Sequence, residues 1–452
     1  MGVQEGNIDQ NSIAVDEKQA KRNRLAWYLY DFGNSAYAAV VLLAIFSAYF
    51  KGEVVGGARG SWLWGLAIGI AMFVVAITSP ILGTIADFSA TKKRMLFFFT
   101  AMCIIFTSLL FFVQAGNVFY GMLFFILAEI GYRSSQVYYN ALLPEIATPE
   151  EMGEVSGNGW AIGSAGGVLC LVIVLALVML IGGTFVVRLS FIITAVFFAL
   201  SALPLFLWIK EKAVPQVLPV GQNYLTVAYR NLSKTIRSIR EYKEFGKFII
   251  AFLIYNDGIL MIMDFAAIIG AVLYGLKQEQ LIIFMIIVQV TSIGGAYLFG
   301  IITQRRSGKL ALMISLVLMI GAVVLVIVTH TLLAFYLIGA LAGFALTGVQ
   351  SVSRTVVGQM APEGKSGEFY GLFAIAGRTS SFIGPTIYGW LAASGAIWYM
   401  NSGQSTLIAE QSGQRLALLS VIVFLVVGMA VLFFVRTPEF TVKRKPQVTE
   451  KA

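Results

Sequence analysis

The sequence predicts an all-α membrane protein of about twelve transmembrane helices, arranged as a bundle of six plus six. The first observation is composition: of 452 residues, 58% are hydrophobic and 12% are charged, whereas soluble domains average about 25% charged residues. The second is a series of apolar stretches long enough to cross the hydrocarbon core, for which a helix needs about 20 residues. The third is an internal repeat that relates the two halves.

The apolar stretches divide the chain into two sets of spans. The first set covers 26–50, 62–86, 95–114, 118–140, 155–181 and 185–209. The second set covers 247–274, 280–303, 309–329, 331–354, 367–393 and 414–436. The expected domains are an N-terminal tail (1–25), an N-terminal bundle (26–209), a central loop (210–246), a C-terminal bundle (247–436) and a C-terminal tail (437–452).

Lysine and arginine indicate the orientation, because cytoplasmic loops of membrane proteins are enriched in them. With a cytoplasmic N-terminus, the loops on the opposite side hold only Lys51, Arg59, Lys277 and Arg415. The polar N-terminus runs from a basic cluster directly into the first span, without a small-residue cleavage site, so we expect no cleaved signal. Both termini and the central loop are therefore expected in the cytoplasm, with the chain in a bacterial inner (cell) membrane.

The central loop carries its own pattern. Between 222 and 246, apolar residues recur at helical intervals with Arg and Lys between them. This pattern is typical of a basic amphipathic helix on the inner membrane surface. A soluble helical linker explains the same pattern equally well, so both interpretations remain open.

Two strings recur at corresponding positions of the two halves. PEEMGEVSG at 149–157 and PEGKSGEFYG at 362–371 follow the fourth and tenth spans. A glycine and an aspartate followed by basic residues come after the second span, as Gly83, Asp87, Lys92, Lys93 and Arg94. The corresponding string after the eighth span has Gln304 in place of the aspartate. Such a duplication with a long central loop is typical of transporters that bind substrate near the midplane between two bundles.

Longer strings carry a resemblance to a known family. They are WYLYDFGNSAY (27–37), SPILGTIAD (79–87), YNALLP (139–144), YNDG (255–258), QSVSR (350–354) and SSFIGP (380–385). With the loop after the second span, the chain resembles the major facilitator superfamily. The strings are similar to its vacuole-effluxer-like branch, whose fungal members are autophagy-related amino-acid exporters of the vacuole. The resemblance covers about 26–436 and implies a transporter whose first, fourth, seventh and tenth helices line a central cavity.

Placing an ionisable side chain inside a membrane span costs free energy, so such residues are candidates for function. Glu129 and Arg133 are four residues apart in the fourth span and share one helix face. In one interpretation Arg133 binds a substrate carboxylate and Glu129 takes a proton or a substrate amine. In the other, the two residues only neutralise each other for insertion.

Further charges lie in other spans. Asp31 and Asp257 lie in the first helix of each half, Asp264 follows one heptad after Asp257, and Arg378 lies in the eleventh span. Given the cavity that the resemblance implies, the aspartates are candidates for proton coupling or for binding a cationic group. Arg378 can offer a guanidinium to an anionic group. The alternatives are a structural hydrogen bond for each aspartate and a buried acidic partner for Arg378.

Polar and glycine residues complete the candidate site. The polar side chains that we favour for substrate contact are Asn34, Tyr139, Asn140, Asn256 and Gln350. The alternative is hydrogen bonding between helices. The glycine runs at 157–159 and 163–167 lack the strand and the Lys-Ser/Thr of a phosphate loop, and therefore predict close helix packing or a flexing point.

The loop after the second span is a candidate conformational gate, formed by Gly83, Asp87, Lys92, Lys93 and Arg94. A carboxylate at a helix end that faces basic groups can lock one arrangement of the halves and release it when they rock. Plain topology determination by the positive charges is the alternative, and both can hold.

The expected function is secondary active transport of a small polar solute, with an amino acid or another zwitterion as first candidate. The alternative is a proton-coupled drug or metabolite effluxer. We expect no enzyme activity, no cofactor, no metal and no nucleic-acid partner, because the sequence has no nucleotide-binding or metal-ligand pattern. The expected partners are the bilayer, a small-molecule substrate and H⁺ as a coupling ion, for a monomeric protein.

Overall fold

The computed structural model describes residues 10–89, 91–147, 152–211, 241–361 and 381–436, with isolated residues between 223 and 233 and between 369 and 377. These residues form twelve long helices. In chain order they are α1 Gln10–Tyr37, α2 Gly57–Ser89, α3 Lys92–Leu109, α4 Val118–Ala141, α5 Met152–Ile181, α6 Gly183–Trp208, α7 Lys243–Tyr274, α8 Gln278–Arg305, α9 Gly308–Val328, α10 Leu332–Met360, α11 Ile383–Asn401 and α12 Thr406–Phe433. The predicted all-α architecture is confirmed.

Within the described residues, ten helical segments are long and apolar enough to cross a membrane. Among the described helices, α4 and α11 fall outside that set. In α4 the cause is chemical, because Glu129 and Arg133 lie in the middle of an otherwise apolar helix. In α11 the described part is short and rich in Gly and aromatic residues. A helix that is too polar for lipid on one face must turn that face towards protein or water.

The helices extend beyond the apolar stretches that predicted them. α1 begins at Gln10 and α12 at Thr406, both ahead of their expected spans. Hydropathy reports only the part of a helix in hydrocarbon, whereas backbone hydrogen bonding continues into the polar flanks. The expected amphipathic helix over 222–246 lies mostly outside the described residues, and so do 149–151 and most of the repeated string at 362–371.

The first span changes helix type along its length. After α1 the chain forms a π-helix over Ala38–Ala44, a short α-helix over Phe46–Tyr49 and a second π-helix over Phe50–Val55. Ile45, between the first two segments, has φ −115° and ψ −59°. The carbonyl of Ile45 accepts a hydrogen bond from Gln278 Nε2 of α8 at 3.3 Å. The irregular segment therefore contacts the second half directly, and π-helical turns are frequent at functional sites.

The two halves repeat a helix crossing. Gly33 in α1 packs on Phe198 and Ser201 of α6, with no room for a side chain. Gly258 in α7 packs on Leu425 of α12 less tightly, with side-chain atoms 3.1 Å from the position of a Cβ. Glycine allows backbones in a membrane bundle to approach closely. The first and sixth helices of each half therefore both pack closely at a glycine of the first helix.

A lysine also links equivalent helices in each half. Lys93 Nζ donates to the carbonyl of Ile209, just past the end of α6, at 2.6 Å. Lys309 Nζ donates to the carbonyls of Phe433 and Val435, at the end of α12, at 2.6 Å and 2.7 Å. Each lysine is the second residue of its helix, and a cation at a helix C-terminus satisfies carbonyls that lack intrahelical donors.

The halves contact each other away from those lysines. We call the end of the bundle with Lys93 and Lys309 the basic end, and the end with Lys51 and Glu410 the far end. At the far end Lys51 forms an ion pair with Glu410 of α12, and both side chains are nearly buried. Nearby, Gln414 Nε2 donates to Ser61 Oγ at 2.8 Å. In this conformation the far end is therefore closed by polar contacts between the halves.

Candidate functional site

The centre of the candidate site is an ion pair on α4. Arg133 Nε donates to Glu129 Oε1 at 2.6 Å, across one helical turn. The hydroxyl of Tyr37, at the end of α1, donates to Glu129 Oε2 at 3.0 Å. Glu129 is fully buried, whereas the side chain of Arg133 keeps 21% of its surface exposed. Both glutamate oxygens are thus held, while the guanidinium retains a surface that a ligand can reach.

Asp264 of α7 brings a second carboxylate to this pair from the other half. It is 2% exposed and interacts electrostatically with both Arg133 and Glu129. Its Oδ2 atom has no hydrogen-bond partner among the described residues. Its backbone carbonyl accepts from Trp64 Nε1 of α2 at 2.7 Å, which fixes α7 against the first half. One cation therefore interacts with carboxylates of both halves, and one of these carboxylates has an oxygen without a hydrogen-bond partner among the described residues.

Asp31 and Asn34 lie on α1. The Asn34 amide is hydrogen-bonded to Asp31, and Asp31 interacts electrostatically with Arg354 of α10. Asn34 is 2% exposed, and its Oδ1 atom has no hydrogen-bond partner in the described part of the chain. This pair therefore forms a second polar cluster at the interface between the halves.

Asn256, Asp257 and Gln350 lie in the second half. Asn256 and Asp257 are buried in α7. The backbone carbonyl of Asp257 lies 2.9 Å from the point where a Cβ at Gly384 would be. This part of α7 therefore packs tightly on the start of α11. Gln350 is half-buried in α10.

Tyr139 and Asn140 lie at the end of α4. Tyr139 is buried, and its ring stacks on Trp27 at 4.3 Å and on Tyr30 at 5.0 Å between centroids. Its hydroxyl donates to the carbonyl of Trp27 at 3.3 Å. Asn140 is exposed. Tyr139 thus contributes to an aromatic stack inside the first half, away from the Glu129–Arg133 pair.

The loop after α2 is described only in part. Gly83 and Asp87 lie in the last turns of α2, and their side chains are outside the described residues. Lys92 forms an ion pair with Glu145 at 3.5 Å, and its backbone N–H donates to Glu211 Oε1 at 2.9 Å. Arg94 is exposed. Arg378 lies outside the described residues.

Removal of the Tyr37 hydroxyl is expected to destabilise the protein. In Tyr37→Phe the ring can keep its contact with Tyr132, whose centroid is 4.7 Å away, while Glu129 Oε2 loses a donor inside the bundle. Such a loss costs about 1–3 kcal/mol, which lowers the melting temperature by roughly 2–10 °C. Thermal unfolding in detergent measures the shift. Tyr120→Phe, at an exposed tyrosine, is the control, and equal melting temperatures for both variants would contradict the prediction.

Three contributors to the site and its closure were not predicted as such. Tyr37 ends the WYLYDFGNSAY string, yet nothing in the string indicates that its hydroxyl reaches α4. Lys51 was assigned only to topology, and Glu410 precedes the expected twelfth span. In the sequence, each of these two residues is only a single charge next to a span. Their ion pair was not predictable, because it joins residues that are distant in the chain.

Comparison with known proteins places these features in a family. The family model described as "Vacuole effluxer Atg22 like" matches residues 64–443. The chain is similar to an MFS-type transporter named as uncharacterized, YxiO of Bacillus subtilis (strain 168), with 27% identity over 435 residues, 94% of this chain and 96% of that protein. It is also 25% identical to autophagy-related protein 22 of Yarrowia lipolytica over 268 residues, which are 52% of this chain and 45% of the fungal protein.

Solved structures share the fold. A bacterial homolog of the human lysosomal transporter Spinster, in an inward-facing and unoccupied conformation, matches with a TM-score of 0.69 and 14% identity over 92% of this chain and 96% of that one. A mutant of the nucleoside transporter NupG matches with a TM-score of 0.70 and 14% identity over 91% and 99%. With the family match, these results make the chain a multi-pass membrane transporter and not an enzyme. The protein belongs to the Atg22-like vacuole effluxer family of MFS-type transporters.

Proposed function

We propose that the protein is a secondary active transporter that carries a small zwitterion, with amino acids as first candidates, by alternating access. The observation that carries this proposal is that Arg133 forms an ion pair with Glu129 of its own helix and also interacts electrostatically with Asp264 of the other half. Glu129 engages Nε, and no hydrogen bond within the described residues engages the terminal guanidinium nitrogens. Those nitrogens form a fork that fits a substrate carboxylate.

The ammonium group of the same substrate has a complementary partner in Asp264. An unsatisfied buried carboxylate oxygen is costly, and a substrate ammonium supplies both its counter-charge and its donor. Since Arg133 and Asp264 belong to different halves, a zwitterion that bridges them couples binding to the relative position of the halves. Alternating access requires such coupling.

The remaining parts of the proposal follow from the sequence. Both termini lie in the cytoplasm of a bacterial cell, the protein works as a monomer, and H⁺ is a coupling ion. Asp264 can take a proton in place of the substrate ammonium, and Arg133 and Glu129 are the charges that face it. The central loop and the loop after α2 lie on the cytoplasmic side, and the loop after α2 acts as a gate when the halves rock.

Counterflow in proteoliposomes tests the proposal. Vesicles containing the full-length protein are loaded with one unlabelled amino acid at a time and supplied with its labelled form, with and without a pH gradient. We expect exchange for at least one zwitterion, and loss of that exchange in Asp264→Asn. Glu53→Gln, at an exposed acid of the far end, serves as control and should keep exchange. Exchange of cationic drugs but of no zwitterion would instead support a drug or metabolite effluxer.

A further inference from the structure

Three oxygen-bearing side chains share one face of α1. Asp31, Asn34 and Ser35 occupy positions i, i+3 and i+4, which are neighbours on a helix surface. Gly163 of α5 lies directly opposite this face. A methyl group at Gly163 would lie 3.0 Å from Ser35 Oγ and even closer to Asp31 Oδ2. The carboxylate and the hydroxyl therefore converge on a single point of the α5 backbone.

The glycine run of α5 creates this approach. Gly159, Gly163, Gly166 and Gly167 all face α1, where Trp27, Asp31, Phe32 and Ser35 contact them. Of the four, only Gly163 meets side-chain oxygens of α1. At that level the missing side chain lets the Asp31 carboxylate and the Ser35 hydroxyl reach the α5 backbone. Gly159 and Gly166 pack on Trp27 and Phe32, and Gly167 also lies against the Gln289 amide of α8.

Asn34 indicates that the cluster binds a ligand. It is 2% exposed, and its amide is hydrogen-bonded to Asp31, yet its Oδ1 has no hydrogen-bond partner among the described residues. A buried acceptor without a donor costs about 1–3 kcal/mol. A cation bound by these oxygens would remove this cost at Asn34 and would also neutralise the partly buried carboxylate of Asp31.

We propose that Asp31, Asn34 and Ser35 form a binding site for Na⁺ at the interface of the halves. Carboxylate, amide and hydroxyl oxygens are ligands for hard cations, and none of these three side chains carries a sulfur or imidazole ligand. A single carboxylate neutralises a monovalent ion, whereas divalent cations usually require more acidic ligands. The site is separate from the Glu129–Arg133 pair and does not depend on the identity of the transported substrate.

Arg354 gives the ion a role in the transport cycle. It lies on α10 of the second half, is exposed, and interacts electrostatically with Asp31. Among the described residues, the other titratable groups that interact with Asp31 are the hydroxyls of Tyr30, Tyr132 and Tyr139, which are neutral at physiological pH. Asp31 can be neutralised by Na⁺ bound to the first half or by Arg354 of the second half. Na⁺ therefore competes with a contact between the halves and shifts their relative position.

Sodium binding is tested on the purified full-length protein without substrate. NaCl is titrated at constant ionic strength against choline chloride, with KCl as a parallel series, while tryptophan fluorescence and the melting temperature are recorded. Trp27 lies in the same helix and stacks on Tyr139, so it is a natural reporter. We expect a saturable change with Na⁺ that K⁺ does not reproduce, and a rise of several degrees in the melting temperature at saturation.

Two variants test the assignment of the site. Asp31→Asn removes the charge with little change of shape, and Gly163→Ala places a methyl group against the carboxylate. Both should abolish the Na⁺ response, while Gly294→Ala, at a helical glycine with open space around it, should keep it. Equal responses to Na⁺, K⁺ and choline, or an unchanged Na⁺ response in folded Asp31→Asn, would overturn the proposal. A response to pH alone that Asp31→Asn removes would assign a proton site instead and would also overturn it. Zwitterion exchange without any Na⁺ response would overturn this inference and leave the proposed function in place.

Discussion

Replacement of Arg133 by lysine is expected to reduce zwitterion exchange by about tenfold to a hundredfold while the protein stays folded. Lysine keeps the positive charge beside Glu129 and Asp264, so no carboxylate is left without a counter-charge. What it loses is the planar fork, which lets one nitrogen hold Glu129 while the others hold a carboxylate. A charge-assisted hydrogen bond contributes about 1.5–3 kcal/mol, and each 1.4 kcal/mol corresponds to about a factor of ten in affinity.

The matched control for this variant is Arg188→Lys. Arg188 also lies against an aromatic ring, with its guanidinium carbon 5.6 Å from the centroid of Phe111, and it donates to the carbonyl of Phe111 at 3.4 Å. Counterflow at low substrate concentration is measured for both variants, with thermal unfolding as a check on folding. Exchange at the parent rate in Arg133→Lys would show that the fork of Arg133 does not bind the substrate. A similar fall in both would indicate a general effect of losing an arginine.

Reversal of the charge at Glu410 is expected to open the far end of the bundle. In Glu410→Lys two cations would lie close together in a nearly buried position, where Lys51 now has an anionic partner. Breaking a buried ion pair costs about 3–5 kcal/mol, which is enough to change the population of two conformations by at least about tenfold. The double variant Lys51→Glu/Glu410→Lys, in which the two charges are swapped, should close the far end again.

The rate of modification of a buried cysteine measures this opening. Ser47 is fully buried in Phe46–Tyr49, which packs against α7, and its hydroxyl has no hydrogen-bond partner in the described part of the chain. Ser47→Cys is therefore a mild reporter, and the native Cys103 and Cys170 are both buried. A maleimide should react at least about tenfold faster in Glu410→Lys than in its parent. Glu244→Lys, at an exposed ion pair within one helix of the basic end, is the control. Slow labelling in Glu410→Lys would show that the ion pair does not keep the far end closed.

Most of the fold was predictable because hydrophobicity is a local property. A stretch of about 20 apolar residues has few solutions in a bilayer other than a spanning helix. The polar helix α4 was also predicted as a span, because its two charges lie only one turn apart within a long apolar stretch. The π-helices of the first span were not predictable, because Ala38–Ala44 is a uniform apolar string that does not distinguish between helix types.

The candidate site was predictable in composition but not in its connections. Glu129 and Arg133 share a turn, so their pairing follows from helix geometry alone. The approach of Asp264 to Arg133 and the bond from Tyr37 to Glu129 depend on how separate helices dock. Such contacts join residues far apart in the chain, and no local pattern encodes them.

The lysine contacts at the basic end have a consequence for biosynthesis. Lys93 joins the beginning of α3 to the end of α6, and every atom of that contact belongs to the first half. The contact between α3 and α6 can therefore form once Ile209 has left the ribosome, before the second bundle is complete. The second bundle repeats this step with Lys309 and the end of α12. Each half thus contains the lysine contact that joins its third and sixth helices. The two halves can therefore pair with each other after translation ends.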